Sequence, residues 1–318
     1  MKATLLARQA VRPWVEKSTG TILVGVSGGA DSMALVIATQ LEAKDRLVIP
    51  VVIDHGIQEG SVQIADGVVD TLKKLNFTTI EKITVKVEII DGLEASARRA
   101  RYAAFELIAE KHKTQNFFLG HTENDLAESV LLGLARGSGT RSLSGIAEVN
   151  GIFIRPFLAI TRATTEEVCN EHLVQPWQDP HNSDTQFARV RVRKDILPIM
   201  ERDLGPGISD SLARSSRILR EDADALDELA AKFMKDHDPL DIDQLGQLPK
   251  ALRVRVLRAL VYAAGSPPGT LTYDHIVPIE ALITAWHGQG ATSLPGGVKV
   301  ERISGRLSLL QQGSNKFQ

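Results

Sequence analysis

The sequence predicts an α/β fold, in which a doubly wound parallel sheet is followed by a second, smaller, mostly helical domain. Two observations carry this prediction. Apolar segments of strand length alternate with segments of helical periodicity through the first two-thirds of the chain, and the pattern becomes helical after Leu197-Pro198. We therefore place the two domains at residues 1–204 and 205–318.

The strand candidates are short apolar runs with helical patterns between them. The predicted strands are Thr21–Val26, Leu47–Ile53, Thr79–Val87, Asn116–Leu119 and Gly151–Ile154. The predicted helices are Ser32–Ala43, Val62–Leu75, Glu94–His112, Glu123–Arg136 and Thr164–Glu171, with an amphipathic helix at the N-terminus. This order indicates right-handed βαβ units, and such sheets bind ligands at the carboxyl ends of their strands.

Two features mark the region after the sheet. The segment Ser209–Lys235 is a long amphipathic helix candidate. The glycine-rich turn Ser293–Gly297 precedes an alternating pattern at Val298–Leu310, which predicts a β-hairpin.

The composition is that of a near-neutral protein with a single thiol. The chain has 318 residues, 37 basic and 39 acidic side chains, and Cys169 as its one cysteine. One cysteine excludes an intramolecular disulfide, a cysteine-ligated iron–sulfur cluster and a Cys-x-x-Cys zinc site. Charges break the apolar N-terminus, and no apolar run has transmembrane length, so we expect a cytoplasmic protein that does not enter a membrane.

The segment Ser27–Ser32, with the letters S-G-G-A-D-S, joins the first strand to the next helix. Free N–H groups and the dipole of a helix N-terminus attract an anion, and glycines let the backbone approach it closely. We predict phosphate binding by this loop, with Asp31 holding a divalent cation that bridges to the phosphate. The loop has neither a Walker A lysine nor the G-x-G-x-x-G pattern. A plain strand-to-helix turn is the structural alternative.

Polar residues follow two more strands, at Asp54-His55 and at Gly120-His121. In the second of these segments, His121, Asp125 and Glu128 have the spacing i, i+4, i+7, which would place them on one helical face. The carboxylates could bind an ammonium group or Mg²⁺, and His121 could hold a phosphate or transfer a proton. A solvated acidic helix start is the alternative.

Three arginine-containing segments are candidates for anion binding. Arg98 and Arg101 share a helical face, and the guanidinium group suits carboxylates and phosphates. The turn Arg136-Gly137-Ser138-Gly139 ends a helix with several free N–H donors. The run Arg189–Lys194, an edge strand or a helix start, could contact a nucleic-acid backbone. Solvated charges are the alternative for the first and third of these segments.

Taken together, these motifs resemble the tRNA(Ile)-lysidine synthetases, a family of the PP-loop ATP pyrophosphatases with a Rossmann-like fold. The matching residues are Ser27–Ser32, Asp54–Gly56, Glu94, Arg98, Arg101, Tyr102, His121–Glu128, Arg136–Gly139, Arg155-Pro156, Trp177, Asp179, Asn182, Arg189, Arg193 and Leu294–Gly297. The phosphate loop identifies the wider group, and the His-x-x-x-Asp-x-x-Glu helix with the Arg-Gly-Ser-Gly turn is more specific. Two positions depart from the family pattern: Asn124 replaces an aspartate, and Val190 replaces an asparagine. The length is similar to that of the short form of the family.

The resemblance implies an ATP-dependent ligase. ATP, with Mg²⁺, would adenylate the wobble cytidine of an isoleucine tRNA with a CAU anticodon and release pyrophosphate, and free L-lysine would then displace AMP to form lysidine. The implied catalytic residues are Asp31, His121, Asp125, Glu128, Arg101 and Arg193, and Asp31 is the implied metal ligand. The implied ATP-binding residues are Ser27, Gly28, Gly29, Ala30, Asp31, Ser32, Asp54, His55, Arg136, Gly137, Ser138 and Gly139, and the implied tRNA contacts are Arg189, Arg191, Arg193 and Lys194.

Three other functions stay open at this point. A sulfur-transferring pyrophosphatase would need catalytic cysteines or a cluster, and Cys169 alone does not supply them. An ammonia-using synthetase would usually carry a glutaminase domain, for which the chain has no room. A non-catalytic nucleotide- or tRNA-binding protein would not require the acidic groups at Asp125 and Glu128. A homodimer is a reasonable expectation for a two-domain enzyme.

Overall fold

The protein is described from a computed structural model that covers residues 1–54, 56, 60–85, 87–88, 92–137, 139–179, 184–267 and 269–311, without the side chains of residues 93 and 94. The chain forms two compact units, Met1–Leu219 and Arg220–Gln318. The division falls inside one long helix, Ile208–Asp236. The boundary expected at residues 204/205 stays a prediction.

The first unit contains a mostly parallel six-stranded sheet. Its strands are β1 Ile22–Val26, β2 Val48–Asp54, β3 Glu81–Thr84, β4 Phe117–Phe118, β5 Val149–Asn150 and β6 Phe153–Ile154. Their order is β3-β2-β1-β4-β6-β5, and all pairs are parallel except β5 with β6. The predicted α/β class and all five predicted strands are confirmed. The antiparallel strand β5 was not predicted, because two residues carry too little periodicity to be recognised.

Helices join the strands and cover the sheet. They are α1 Lys2–Lys17, α2 Ala30–Ala43, α3 Ser61–Lys74, α4 Leu93–Lys111, α5 Glu123–Ala135, α6 Thr140–Leu143, α7 Arg162–Glu171, α8 Ala188–Arg191, α9 Leu197–Asp203 and α10 Ile208–Asp236. One π-helical turn, Val192–Ile196, joins α8 to α9, so the basic run is helical and not an edge strand. None of the helices among the described residues has the length and apolarity needed to cross a membrane.

The strand composition explains why the sheet is buried. All five residues of β1 are buried, as expected for a central parallel strand with helices on both sides. One core contains side chains of β1 with those of α1, α2, α3 and α7, and the other contains Phe105 and Ile108 of α4 against Phe117 and Phe153. The strand order reverses between β1 and β4, which is where doubly wound sheets bind ligands.

The second unit combines short helices with a three-stranded sheet. Its elements are α11 Ile242–Gln247, α12 Lys250–Ala263, α13 Tyr273–Thr284, β7 Thr292–Leu294, β8 Val298–Ile303 and β9 Arg306–Gln311. The antiparallel β8–β9 pair confirms the predicted hairpin, and it turns at Ser304-Gly305, where φ is +46° and +79°. The Pro295–Gly297 turn joins β7 to β8, and Ser266 Oγ donates a 2.6 Å hydrogen bond to the carbonyl of Pro295.

Candidate active site

The phosphate loop follows β1 and leads directly into α2. Gly28 has φ +88°, and a Cβ added there would lie 2.6 Å from Val68 Cγ2, so this position requires glycine on two counts. Ser32 Oγ accepts a 3.1 Å hydrogen bond from the Ser27 N–H and donates one of 2.9 Å to the Gly29 carbonyl. Trp177 N–H donates a 2.9 Å hydrogen bond to the Gly28 carbonyl. The conformation of the loop is therefore fixed by the Ser32 hydroxyl group within it and by the Trp177 N–H from outside it.

The loop after β4 lies against the start of α2. A Cβ added to Gly120 would lie 3.0 Å from the backbone carbonyl carbon and oxygen of Asp31. This close approach brings the segment that follows Gly120 beside the phosphate loop, at the reversal between β1 and β4. The predicted meeting of the two loops at one sheet edge thus has a direct backbone cause.

Helix α5 begins at Glu123, two residues after the start of the predicted polar face at His121. Thr122 is its N-cap, so His121 precedes the helix, and the assignment of His121 to one helical face with Asp125 and Glu128 is wrong. The reason is a capping box: Asp125 Oδ2 accepts hydrogen bonds of 2.8 Å from the Thr122 N–H and 3.0 Å from its hydroxyl. One oxygen of Asp125 therefore has a structural role, and Oδ1 faces the rest of the site.

Glu128 is completely buried and ion-paired with two arginines of the basic run. Arg189 Nε lies 2.9 Å from its Oε2 and Arg193 Nε lies 2.6 Å from its Oε1. The two arginines are four residues apart on the helical segment that continues through the π-turn, so both reach the same carboxylate. A buried carboxylate held by two guanidinium groups is stable only because its partners offset the cost of desolvation.

Arg162 lies among the same carboxylates, although no sequence motif predicted it as a site residue. This first residue of α7 reaches three carboxylates, lying 3.5 Å from Asp31 Oδ2, 3.2 Å from Asp125 Oδ1 and 3.6 Å from Glu128 Oε1. Its backbone N–H donates a 2.9 Å hydrogen bond to Asn124 Oδ1. A lone arginine at a helix start carries no pattern, so only the fold could reveal this contact. Asn124, one of the family departures, still supplies the oxygen acceptor that anchors α7.

We call Asp31, Asp125, Glu128, Arg162, Arg189 and Arg193 the charge cluster. Burial raises the pKa of Asp31 above its ordinary value, although the 2.5 Å hydrogen bond from Thr165 and the charge of Arg162 oppose this effect. Burial would also raise the pKa of Asp125, but Arg162, Arg189 and the Thr122 N–H outweigh it and hold the pKa below its ordinary value. Asp125 is therefore ionised at neutral pH.

His121 lies among arginines beside this cluster. Desolvation lowers its pKa from 6.5 to about 3, with Asp125 opposing and Arg155, Arg189 and Arg98 reinforcing the shift. Its Nδ1 atom is buried and has no hydrogen-bond partner among the described residues, and the same holds for Nε of the buried Arg155. At neutral pH the imidazole is therefore uncharged and keeps one nitrogen available for a ligand.

Two other groups of predicted site residues, at Asp54 and at the Arg136–Gly139 turn, lie outside the charge cluster. The Asp54 carboxylate accepts a 3.0 Å hydrogen bond from the Gly56 N–H. Burial would raise its pKa, but this bond and those from the Ser61 and Thr84 hydroxyls lower it. Arg136, the C-cap of α5, lies about 16 Å along the helix axis from Asp125. Arg136 and Gly137 are exposed, as is Gly139.

The remaining predictions are distributed over α4 and the basic run. Arg101 is half-buried on α4. Arg191 is exposed and donates to the carbonyls of Thr185 and Gln186, and Lys194 is exposed. The predicted residues His55, Ser138 and Asn182 lie outside the described residues.

Comparisons with known proteins agree with this geometry. A family model described as a PP-loop domain matches residues 3–200, and one described as the TilS substrate binding domain matches residues 240–308. The chain is 44% identical over 311 residues to the tRNA(Ile)-lysidine synthase of Thermobifida fusca (strain YX), covering 95% of this chain and 96% of that protein. The chain belongs to the tRNA(Ile)-lysidine synthase family.

A second tRNA(Ile)-lysidine synthase, from Streptomyces coelicolor, is 45% identical over 300 residues and covers 91% of this chain and 85% of its own. Among solved structures, the U34-tRNA thiolase NcsA from Methanococcus maripaludis with its [4Fe-4S] cluster superimposes with a TM-score of 0.58 at 16% identity. That match covers 69% of this chain and 79% of the thiolase chain, and it supports the fold alone. The resemblance inferred from motifs is thus confirmed, and the PP-loop domain is the ATP-binding part of this chain.

Proposed function

We propose that this chain ligates lysine to carbon 2 of the wobble cytidine of a tRNA(Ile) with a CAU anticodon, in two steps. In the first step the O2 oxygen of the base attacks the α-phosphate of ATP, and pyrophosphate leaves. In the second step the ε-amine of lysine attacks carbon 2, and AMP leaves with O2. Activation must come first because an amide-like carbonyl is a poor electrophile. The observation that carries this proposal is the charge cluster at the phosphate loop, in a chain of the tRNA(Ile)-lysidine synthase family.

The phosphate loop supplies the leaving-group site. The N–H groups at the start of α2, with the Ser27 and Ser32 hydroxyls, would hold the pyrophosphate while its negative charge develops. The glycines leave no side chain between the backbone and the phosphates. His121, uncharged and with a free ring nitrogen, is suited to a neutral hydrogen bond to substrate and unsuited to carrying a positive charge.

Asp125 and Glu128 suit recognition of the lysine ammonium group. Asp125 is ionised, and its Oδ1 faces the cluster. Removing the proton from the ammonium group is required before attack on carbon 2, and a carboxylate can accept its hydrogen bonds while the amine is oriented. Arg101 and Arg193 are proposed partners of the lysine carboxylate or of the α-phosphate. Arg193 is already committed to Glu128 in the structure described here.

Asp31 fits a Mg²⁺ ion that is shared with ATP. Among the described residues, the ion pair of its Oδ2 is the 3.5 Å contact with Arg162. Burial raises the pKa of the carboxyl, an effect that a bound cation would reverse. No group of three or more metal-binding side chains is found among the described residues, so phosphate oxygens and water would have to complete the coordination. When bound, Mg²⁺ would neutralise charge on the phosphates.

The sulfur-transfer alternative has no support in the chain. Cys169 is fully buried, and desolvation raises the pKa of its thiol to about 11, so it is neither a nucleophile nor a cluster ligand at neutral pH. Contacts of Arg189, Arg191, Arg193 and Lys194 with tRNA, ATP contacts by Asp54 and by the Arg136–Gly139 turn, a cytoplasmic location and a homodimer stay predictions.

The direct test is a filter assay with ATP, Mg²⁺, radiolabelled lysine and an unmodified tRNA(Ile) transcript with a CAU anticodon. We expect lysine incorporation that requires ATP and disappears in Asp31→Ala and Asp125→Ala. Release of pyrophosphate without lysine incorporation would retain the adenylation step and indicate another nucleophile. An absence of both activities would favour a binding protein and overturn the proposal.

A further inference from the structure

Arg162 occupies the position where a substrate cation would be expected to bind. Its guanidinium group lies 3.2–3.6 Å from carboxylate oxygens of Asp31, Asp125 and Glu128, which are the acidic members of the charge cluster. The side chain is only 23% exposed, so it is one of the groups that fill this part of the site. The other two arginines of the cluster reach Glu128 from α8 and the π-turn, whereas Arg162 reaches it from α7.

The carboxylate oxygens that face the cluster are all occupied. Both oxygens of Glu128 accept from Arg189 and Arg193, at 2.6–3.1 Å. Asp125 Oδ2 is committed to the Thr122 cap, and Asp31 Oδ1 to the Thr165 hydroxyl. The remaining two, Asp125 Oδ1 and Asp31 Oδ2, lie 3.2 and 3.5 Å from Arg162, and Arg193 lies farther from Asp125 Oδ1, at 3.7 Å. An incoming ammonium group therefore needs oxygens that Arg162 holds.

Charge balance leads to the same conclusion. The cluster contains three carboxylates and three guanidinium groups, and lysine would add an ammonium group to a site that is already neutral. The ammonium group gains most from charge-assisted hydrogen bonds to Asp125 Oδ1 and Asp31 Oδ2 when the guanidinium group beside them moves away. Arg189 and Arg193 each have an ion pair of 2.9 Å or less with Glu128, whereas the shortest ion pair of Arg162 is 3.2 Å. The Arg162 side chain is therefore the one most easily displaced.

We propose that Arg162 controls the order of substrate binding, with its guanidinium group holding the ammonium subsite until ATP binds. This inference rests on the proposed function. The phosphates of ATP, bound in the loop that contains Asp31, attract Arg162 away from Asp125 and Asp31, and the exposed Asp125 Oδ1 then accepts the lysine ammonium group. The amine is therefore admitted only when the activating nucleotide is in place. Arg162 is a positioning residue: it acts on lysine through the carboxylates.

The geometry allows this exchange with a side-chain movement alone. The backbone N–H of Arg162 is held by Asn124 Oδ1 at 2.9 Å, and the next turn of α7 is tied to Asp31 through Thr165. Helix α7 also packs on α1 and α2 through buried Val168 and Cys169. The backbone of Arg162 is thus fixed, while its guanidinium group, 3.5 Å from Asp31, lies next to the phosphate loop.

The test is the affinity for lysine, measured by equilibrium dialysis with radiolabelled lysine, with and without Mg²⁺ and α,β-methylene-ATP, which cannot be cleaved at the α–β bond. Wild-type protein is expected to bind lysine at least about tenfold more tightly with the analogue, since allosteric couplings are typically of this size. In Arg162→Gln, lysine binding without the analogue is expected to tighten to near the nucleotide-bound value. Arg162→Lys, which keeps a cation in the cluster, is expected to restore part of the requirement.

Two controls separate this effect from a loss of structure. Arg12→Ala removes an exposed arginine of α1 that shares Glu42 with Arg8, and it is expected to keep the wild-type coupling. Thermal unfolding of each variant reports whether the chain is folded. If Arg162→Gln does not fold, Arg162→Lys still tests the inference. A merely structural role for Arg162 would weaken lysine binding in both states and would not uncouple it from the nucleotide.

The outcomes are distinct from those of the function assay. Equal lysine affinity with and without the analogue in wild-type protein, or weaker lysine binding by Arg162→Gln in the absence of nucleotide, overturns the inference. Failure of the wild-type protein to incorporate lysine into tRNA would instead overturn the proposed function, because that assay does not depend on the order of binding.

Discussion

At the scale of single residues, the chemistry depends on how three carboxylates are paired with arginines in a partly dry site. Glu128 is fully buried, and it is tolerated because Arg189 and Arg193 bind both of its oxygens. Asp125 Oδ2 caps helix α5, and its Oδ1 contacts Arg162 in the site. The same residues thus stabilise the fold and prepare the recognition of an amine, so their substitution affects both properties.

Replacing Glu128 with glutamine is expected to abolish lysine incorporation and destabilise the protein. An amide cannot neutralise two guanidinium groups, so the free energy of unfolding should fall by about 3–5 kcal/mol, the cost of breaking a buried ion pair. Denaturant unfolding and the filter assay measure the two effects. Glu123→Gln is the matched control on the first turn of α5: burial already raises the pKa of Glu123, and a neutral side chain should be tolerated there.

His121 is expected to stay uncharged throughout the physiological range. Its pKa of about 3 in the folded state lies below the ordinary 6.5, so the unfolded chain binds one more proton between these values. Stability from this group is complete above pH 6.5 and decreases as the pH falls toward 3, by at most about 1.4 kcal/mol per pH unit.

An NMR titration of the histidine ring protons tests this prediction. One signal, assigned by its loss in His121→Gln, should not move between about pH 5 and 8. The exposed His287 provides the comparison, since His287→Gln should remove a different signal. A His121 signal that titrates near pH 6.5 would contradict the buried, neutral imidazole.

At the scale of elements, the phosphate loop depends on backbone space. In Gly28→Ala the new Cβ would lie 2.6 Å from Val68 Cγ2, at φ +88°, so we expect ATP affinity to fall and stability to decrease by about 1–3 kcal/mol. Binding of α,β-methylene-ATP and thermal unfolding measure the two changes. Gly67→Ala, on α3 with nothing within 4 Å of the added Cβ, is the matched control and should be neutral or slightly stabilising.

A double-mutant cycle locates the cause within this element. Val68→Ala combined with Gly28→Ala removes the clash and leaves the unfavourable φ, so the double variant should recover part of the lost stability. A purely additive result would show that the side-chain clash is not responsible.

The basic residues of the run Arg189–Lys194 fall into two classes. Arg189 and Arg193 are bound to Glu128, whereas Arg191 and Lys194 are exposed. We expect Arg191→Ala and Lys194→Ala to weaken tRNA binding and to reduce the salt dependence of the affinity by about one counterion each. Arg189→Ala and Arg193→Ala should reduce lysine incorporation and should change that salt dependence less, because both guanidinium groups are paired with Glu128. Filter binding over a range of salt concentrations measures this difference, and equal slopes for all four variants would contradict it.

At the scale of the whole molecule, two compact units are matched by two family models. The unit Met1–Leu219 contains the range matched by the PP-loop domain, and Arg220–Gln318 contains the range matched by the substrate-binding domain. We expect Mg²⁺ with α,β-methylene-ATP to increase hydrogen-exchange protection in the first unit, around the phosphate loop. The tRNA should add protection in the second unit. Protection by tRNA confined to the first unit would contradict the assignment of the second to substrate binding.

The sequence by itself determined the elements and the family. Strand β1 is a continuous apolar run because both of its faces are covered. Gly28 leaves a recognisable pattern because its positive φ and the nearby Val68 side chain exclude other residues. Asp31, Asp125 and Glu128 were identified in the same way, from residue type and order along the chain. These signals lie within short segments of the chain, so a single sequence is enough to reveal them.

Only the tertiary structure decided which charges meet. Arg162 lies at the start of α7, with no motif around it, and it joins Asp31 to α5 because the strand reversal between β1 and β4 brings three helix ends together. The pairing of Arg189 and Arg193 with Glu128 depends in the same way on how their helical segment packs on α5. Such contacts join residues more than thirty positions apart, and their energy depends on burial and distance, which residue order does not encode.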